Sequence, residues 1–233
     1  FSRHGGVSPH PWHSLNVGST VGDDLSGVAE NRRRIFSVME RDPDSLYDVW
    51  QIHSARYVVA REPRKDRPYH QADAILTDMP GLTLLMRFAD CVPIMLYDPS
   101  HHVVGLVHAG WLGTIRGVIR SAVQGMVDNF QSDPSEILAG LGPSIGPDHY
   151  EIGDDVASKV REIYKDKATR YLRTNHASVY FDLWAANHDQ LQEMGITHIE
   201  LTEICTACHT EDWYSHRAEV GRTGRFGALI GLK

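Results

Sequence analysis

At 233 residues, 42% of them hydrophobic, the chain is long enough to bury a substantial core, and its length fits one domain spanning residues 1–233. A formal net charge of −7 excludes broad binding to a nucleic-acid backbone, which needs clustered lysine and arginine to displace counterions. No run approaches the roughly 18 uninterrupted apolar residues of a membrane span, because Arg87, Asp90 and Asp98 cut the longest ones.

The sequence opens on Phe1 rather than methionine, with no charged start, apolar stretch and cleavage site, so the extreme N-terminus is expected to lie outside it. The first element predicted is a helix over Val28–Met39. Trp50–His53 reads as a strand, and the polar run Arg61–Gln71 as a surface loop. Three strands follow, Leu82–Phe88, Val92–Tyr97 and Val103–His108, rich in β-branched and apolar residues. After the turn Ala109-Gly110, the positions Ile115, Val118, Ile119, Ala122, Val123, Met126 and Val127 repeat at helical spacing and predict one long helix. Further helices are expected over Asp155–Tyr164 and Leu183–Met194, and a closing strand over Phe226–Leu232. Strands and helices interleave without repeats or linkers, which indicates a mixed α and β architecture.

Three cysteines are too few for a disulfide framework in a chain of this length, so a reducing compartment, the cytoplasm, and thiol or metal chemistry are expected. His53, Cys91 and His108 each fall at the edge of a predicted strand, where side chains are rigidly held yet accessible. Two imidazoles and a thiolate suit zinc and leave a fourth tetrahedral position open, the pattern of a catalytic site; the same set suits copper. Their separations form no local metal motif. Two other readings stand beside this one: a buried free cysteine with two hydrogen-bonded histidines, and a Cys91 nucleophile activated by His108.

Near the C-terminus Cys205-Thr206-Ala207-Cys208-His209 matches the spacing of a haem attachment site, and His198-Ile199-Glu200 ahead of it matches part of a nucleobase-deaminase pattern. The deaminase pattern lacks its proline before Cys205 and its two halves stand too close together. Cys205 and Cys208 are therefore read as structural thiols. Gly140–Pro147 is glycine-rich but fits neither a dinucleotide fingerprint nor a P-loop. At either end, Ser2–Ser8, Ser215-His216-Arg217 and Thr223-Gly224-Arg225 combine guanidinium groups with hydroxyls, a combination able to clamp phosphate in two-pronged fashion.

The ordered motifs resemble, almost end to end, the YfiH-type family, labelled laccase-domain or multicopper polyphenol oxidase and also described as purine nucleoside phosphorylases. They are Ser2–Ser8, Ser14–Gly18, Gln51-Ile52-His53, Ala89–Pro93, His108–Trp111, Gly142–Gly146, Tyr150–Gly153, Phe181-Asp182-Leu183, Cys205–Cys208 and Thr223-Gly224-Arg225. The resemblance implies an α+β single domain, a mixed β-sheet sandwich flanked by helices, with His53, Cys91 and His108 as metal ligands. It also implies phosphorolysis of adenosine, inosine and S-methyl-5'-thioadenosine, with adenosine deamination as a second activity in which zinc activates water. Asp90, beside Cys91, is a candidate proton shuttle, and Arg3, Asn16 and Arg217 are candidate substrate or phosphate contacts. The expected partners are small molecules, purine nucleosides and inorganic phosphate. One departure stands out: the late Ser-Tyr-Arg-Arg element reads Ser215-His216-Arg217-Ala218 here, without its second arginine. The rival readings are a copper-dependent polyphenol oxidase and a non-catalytic metal-binding partner protein. Fourteen histidines are present, but they lack the paired His-x-His pattern of a copper cluster.

Overall fold

The computed structural model describes all residues, Phe1–Lys233. In chain order the elements are α1 (Leu25–Val38), β1 (Leu46–Asp48), β2 (Tyr57–Val59), β3 (Ala74–Thr77), β4 (Thr83–Phe88), β5 (Val92–Asp98), β6 (Val103–Ala109), α2 (Trp111–Arg116) and α3 (Val118–Phe130). They continue with β7 (Leu138–Leu141), β8 (Glu151–Ile152), α4 (Asp154–Tyr164), α5 (Ala168–Tyr171), β9 (Leu172–Asn175), β10 (Ser178–Phe181), α6 (Leu183–Glu193), β11 (His198–Leu201) and β12 (Phe226–Ile230). A six-stranded mixed sheet in the order β11-β7-β5-β6-β3-β2 forms the spine. A three-stranded sheet, β1-β4-β12, lies against it, and a small antiparallel sheet, β8-β10-β9, stands apart.

Period-two alternation along β6 explains the layering. Val103, Val107 and Ala109 pack with the helices, where Ile119, Val123 and Met126 of α3 and Leu183, Ala186 and Leu191 of α6 cover one face of the large sheet. Val104 and Leu106 point the other way, into a second core shared with Leu84, Met86 and Phe88 of β4. Helix α1 closes the far side of the β1-β4-β12 sheet, with Ile35 and Phe36 against Leu85 and Leu229. The result is a single α+β domain, a sheet sandwich flanked by helices. No helix is long and apolar enough to cross a membrane.

Four expected boundaries change. The long helix after His108 is two helices, because Gly117 takes φ +79° and its amide bonds back to Gly113 and Thr114, ending α2 before α3 begins. Helix α1 starts earlier than expected, at Leu25, where the Asp24 side chain accepts the Ser26 amide as an N-cap. The closing strand ends at Ile230. Trp50–His53 is not a strand: Trp50 makes one isolated bridge to Gln71, after which His53 adopts φ +56°. The amides of Ile52, His53 and Ser54 all turn onto the Asp73 carboxylate instead of a neighbouring strand. Three successive N–H donors converging on one anion override a local apolar pattern.

Candidate functional site

The site lies at one end of the large sheet. Antiparallel register sets Val92, at the start of β5, opposite Ala109, at the end of β6, and Pro93 opposite His108. Cys91 and His108 thereby come together from neighbouring strands. His53 arrives from the loop that Asp73 gathers, and the Asp73 carbonyl also accepts the His108 amide at 2.8 Å. One ligand atom from each of His53, Cys91 and His108 lies within 4.8 Å of the other two, and Cys91 Sγ is 3.9 Å from His53 Nε2. The two imidazole rings meet edge to face with centroids 5.0 Å apart.

Asp73 was not singled out from the sequence, and it organises this group. It is fully buried, and its Oδ1 accepts His108 Nδ1–H at 2.9 Å and the His53 amide at 3.0 Å. The first bond fixes the ring so that Nε2 faces the other two donors. Burial pushes the Asp73 carboxyl up, but His108 and Ser54 outweigh it and hold its pKa down at about 2. For Cys91, burial opposes ionisation, while His108 and then His53 bring the thiol down to about 6. Burial disfavours the His108 cation, yet Cys91 and Asp73 raise it to about 9. At neutral pH the metal-free pair is a thiolate beside an imidazolium.

The donor set fits a metal. Two imidazoles and a thiolate, one histidine fixed through its other nitrogen, make a three-ligand site with an open fourth position. Gly110 supplies the room: a Cβ there would lie 2.8 Å from Cys91 Sγ and 2.9 Å from His53 Cδ2. Gly110→Val is therefore expected to abolish zinc binding by the His53/Cys91/His108 group while leaving a folded chain, checked by zinc content and circular dichroism. A zinc content unchanged from the native chain would show that these side chains are not ligands.

These ligands open into a cavity of about 420 Å³, within the range of small-molecule sites. Trp50, Trp111 and Tyr150 line it with aromatic surface, and Arg87, Arg217 and Arg225 with guanidinium groups. Arg87 is committed to Gln51, Val49 and Asp48. Arg225 bonds through Nη1 alone, to the carbonyls of Thr223 and Gly224, and Arg217 through Nη1 to the Glu151 carbonyl. Their remaining donors are available to an anion.

The other candidates fall in different places. Arg3 does not line the cavity: it pairs with Glu219 at 3.2 Å, donates to the carbonyls of His13 and Thr210, and stacks over Tyr214 at 4.4 Å. It ties the N-terminal segment to the C-terminal one, away from the cavity wall where a phosphate contact was expected. Asn16 is also off the cavity wall, fully buried, with Oδ1 accepting the amides of Gly18 and Arg225. It positions two residues that do line the wall. Asp90 lines the cavity, but both its oxygens are taken, Oδ1 by Thr206 Oγ1 at 2.7 Å and Oδ2 by the Arg217 amide at 2.7 Å. Those bonds oppose a proton-shuttle role and make Asp90 the anchor of the Arg217 segment.

A family model described as multi-copper polyphenol oxidoreductase laccase matches residues 1–233. The chain belongs to this family. Among its relatives, purine nucleoside phosphorylase YlmD of Bacillus subtilis is 35% identical, the match covering 100% of this chain and 87% of that protein. A purine nucleoside phosphorylase of Deinococcus radiodurans is 34% identical over 99% of this chain and 87% of its own length. The crystal structures of YfiH from Bacillus licheniformis and YlmD from Geobacillus stearothermophilus superpose with TM-scores of 0.95 at 34% and 35% identity. Each match covers 100% of this chain, with 91% and 90% of the solved chains. Several members of the laccase-domain family thus carry phosphorylase names, and the fold of this member is that of the YfiH and YlmD structures.

Proposed function

We propose that the chain is a purine nucleoside phosphorylase acting in the cytoplasm on adenosine, inosine and S-methyl-5'-thioadenosine, with adenosine deamination as a side activity. His53, Cys91 and His108 would hold zinc. The observation that carries this reading is the sharing of one cavity by three metal-type donors, aromatic walls and two guanidinium groups with donors to spare. The names of the full-length relatives support it.

Arg217 and Arg225 hold phosphate as a two-pronged clamp. Burial makes the Arg225 cation costly, a cost that an anion in the cavity offsets. Trp50, Trp111 and Tyr150 offer faces to a planar base. Phosphorolysis needs the phosphate oxygen brought to the anomeric carbon while charge gathers on the departing base. Tyr150 keeps its proton at neutral pH, because burial raises its phenol, and so presents a neutral donor in the same cavity. Zinc at the three ligands would supply Lewis acidity and activate water at neutral pH.

Copper oxidation of phenols is less well supported by the donor set. Reduction of oxygen to water calls for several coppers with many histidines, whereas the two clusters of metal-type donors contain only His53, His108 and His149. The Cys91–His108 ion pair also resembles an activated nucleophile, but the third donor, His53, standing 3.9 Å from the sulfur, favours a metal.

Chromatography of adenosine incubated with zinc-loaded protein tests this reading. Adenine is expected only when phosphate is present, inosine is expected without it, and Cys91→Ala loses both. Inosine alone under either condition would leave a deaminase, and no turnover would return the family's oxidase label to first place.

A further inference from the structure

A second cluster of metal-type donors lies at the same end of the large sheet. His149, Cys205 and Cys208 bring one ligand atom each within 4.8 Å of the others. The loop after β7 carries His149, and the turn after β11 carries both cysteines. We propose that this cluster is a structural zinc site, distinct from the one in the cavity, that staples those two segments together.

The donor atoms are spaced closely enough to share one tetrahedral zinc. With Zn–S near 2.3 Å and Zn–N near 2.05 Å, sulfur and nitrogen on one zinc stand about 3.6 Å apart. Cys208 Sγ lies 3.6 Å from His149 Nδ1 and 3.9 Å from Nε2, so a turn of the exposed ring about χ2 aims one nitrogen at the shared ion. Cys205 and Cys208 have the two-residue spacing that lets one turn present two sulfurs to one ion. Cys205 is buried, and its Sγ accepts the Gly146 amide at 3.1 Å, the kind of backbone bond that stabilises a thiolate. Gly146 has the role here that Gly110 has in the cavity: a Cβ at this position would stand 3.1 Å from Cys205 Sγ and 2.8 Å from Asp148 Oδ1. Asp148 Oδ1 is 3.1 Å from His149 Nδ1 and holds the ring beside the two cysteines, which leaves the fourth position of the zinc to water. Binding releases the two thiol protons to solvent and changes no oxidation state. All three cysteines are free thiols.

The two segments reach the cavity directly. Ser144 bridges Cys205, and the Ser144 carbonyl accepts the Thr206 amide. Thr206 Oγ1 donates to Asp90, the Ile145 amide donates to the Asp90 carbonyl, and Tyr150 follows His149 onto the cavity wall. A zinc here fixes the shoulder beside Cys91. The proposal is independent of which reaction the cavity performs.

Zinc per chain, measured by mass spectrometry on protein purified in zinc and freed of loosely bound ion, tests it. Two equivalents are expected in the native chain and one in Cys208→Ser or His149→Ala, both substitutions of exposed side chains. One equivalent is likewise expected in Cys91→Ala, and none in Cys91→Ala/Cys208→Ser. In the cobalt(II) form, thiolate-to-metal absorption should fall to about one third when Cys205 and Cys208 are both serine, since one of three sulfur ligands remains. A single equivalent in the native chain, unchanged in Cys208→Ser, would overturn the proposal. So would a Cys205–Cys208 disulfide in zinc-purified protein.

Discussion

Cys91→Ala is expected to lose one zinc per chain and about 10³-fold in phosphorolysis, with the fold intact. The thiolate is the one anionic donor of the cavity group, and its removal leaves two imidazoles facing an open cavity. Metal Lewis acidity is worth several kcal/mol at a reacting centre, and each ~1.4 kcal/mol is a decade in rate. Cys91 packs against the second core and pairs with His108, so the metal-stripped variant should keep its fold but unfold at a lower temperature than the metal-stripped native chain. Zinc analysis, circular dichroism and product chromatography on one preparation decide it. Full activity with the zinc gone would separate the metal from the chemistry.

Asp73→Asn should have the second largest effect, acting on metal affinity and stability together. Every partner of the Asp73 carboxylate is a donor: His108 Nδ1 and the His53 amide on Oδ1, and the amides of Ile52 and Ser54 with the Ser54 hydroxyl on Oδ2. An asparagine must turn its NH₂ onto donors, leaving buried N–H groups unpaired at about 1–3 kcal/mol each. Loss of the carboxylate behind a ligating histidine costs about 10- to 100-fold in metal affinity. The acid limb of stability should change as well. Since the folded chain holds Asp73 at about 2, below its ordinary 3.8, the carboxylate stabilises the fold above about pH 4 and ceases to do so as pH falls toward 2. In the variant that part of the acid sensitivity disappears. Competition with a zinc chelator and pH-dependent unfolding measure the two effects. Native affinity with the His108 ring still in place would show that the ring needs no carboxylate to orient it.

Elements with strong internal periodicity were legible from the sequence. Val92–Asp98 and Val103–Ala109 alternate between two cores, and the residues of α6 repeat on one face, so these elements could be placed within a residue or two, whereas the periodicity running on from Ile115 hid the break at Gly117. Tyr57–Val59 and Ala74–Thr77 are too short to show a period. The Trp50–His53 segment was misjudged because its amides serve Asp73, far along the chain. His53 comes from a loop and Cys91 and His108 from two strand ends, so their donor types suggested a metal group, their spacing carried no signal, and the family resemblance raised them above the other readings. Asp73 sits beneath them without a motif of its own; its one signal is a carboxylate set directly ahead of an apolar strand. Arg3 illustrates the opposite case. A guanidinium in a glycine-rich segment resembles an anion clamp, and only its pairing with Glu219 and its stacking on Tyr214 reveal a tie between chain ends.

Phosphorus NMR of inosine and inorganic phosphate with zinc-loaded protein tests the central claim most directly. The account predicts a new ribose phosphate ester that appears mole for mole with hypoxanthine and fails to appear with Cys91→Ala. Hypoxanthine released with free ribose, or an unchanged phosphate signal beside full substrate recovery, would contradict it.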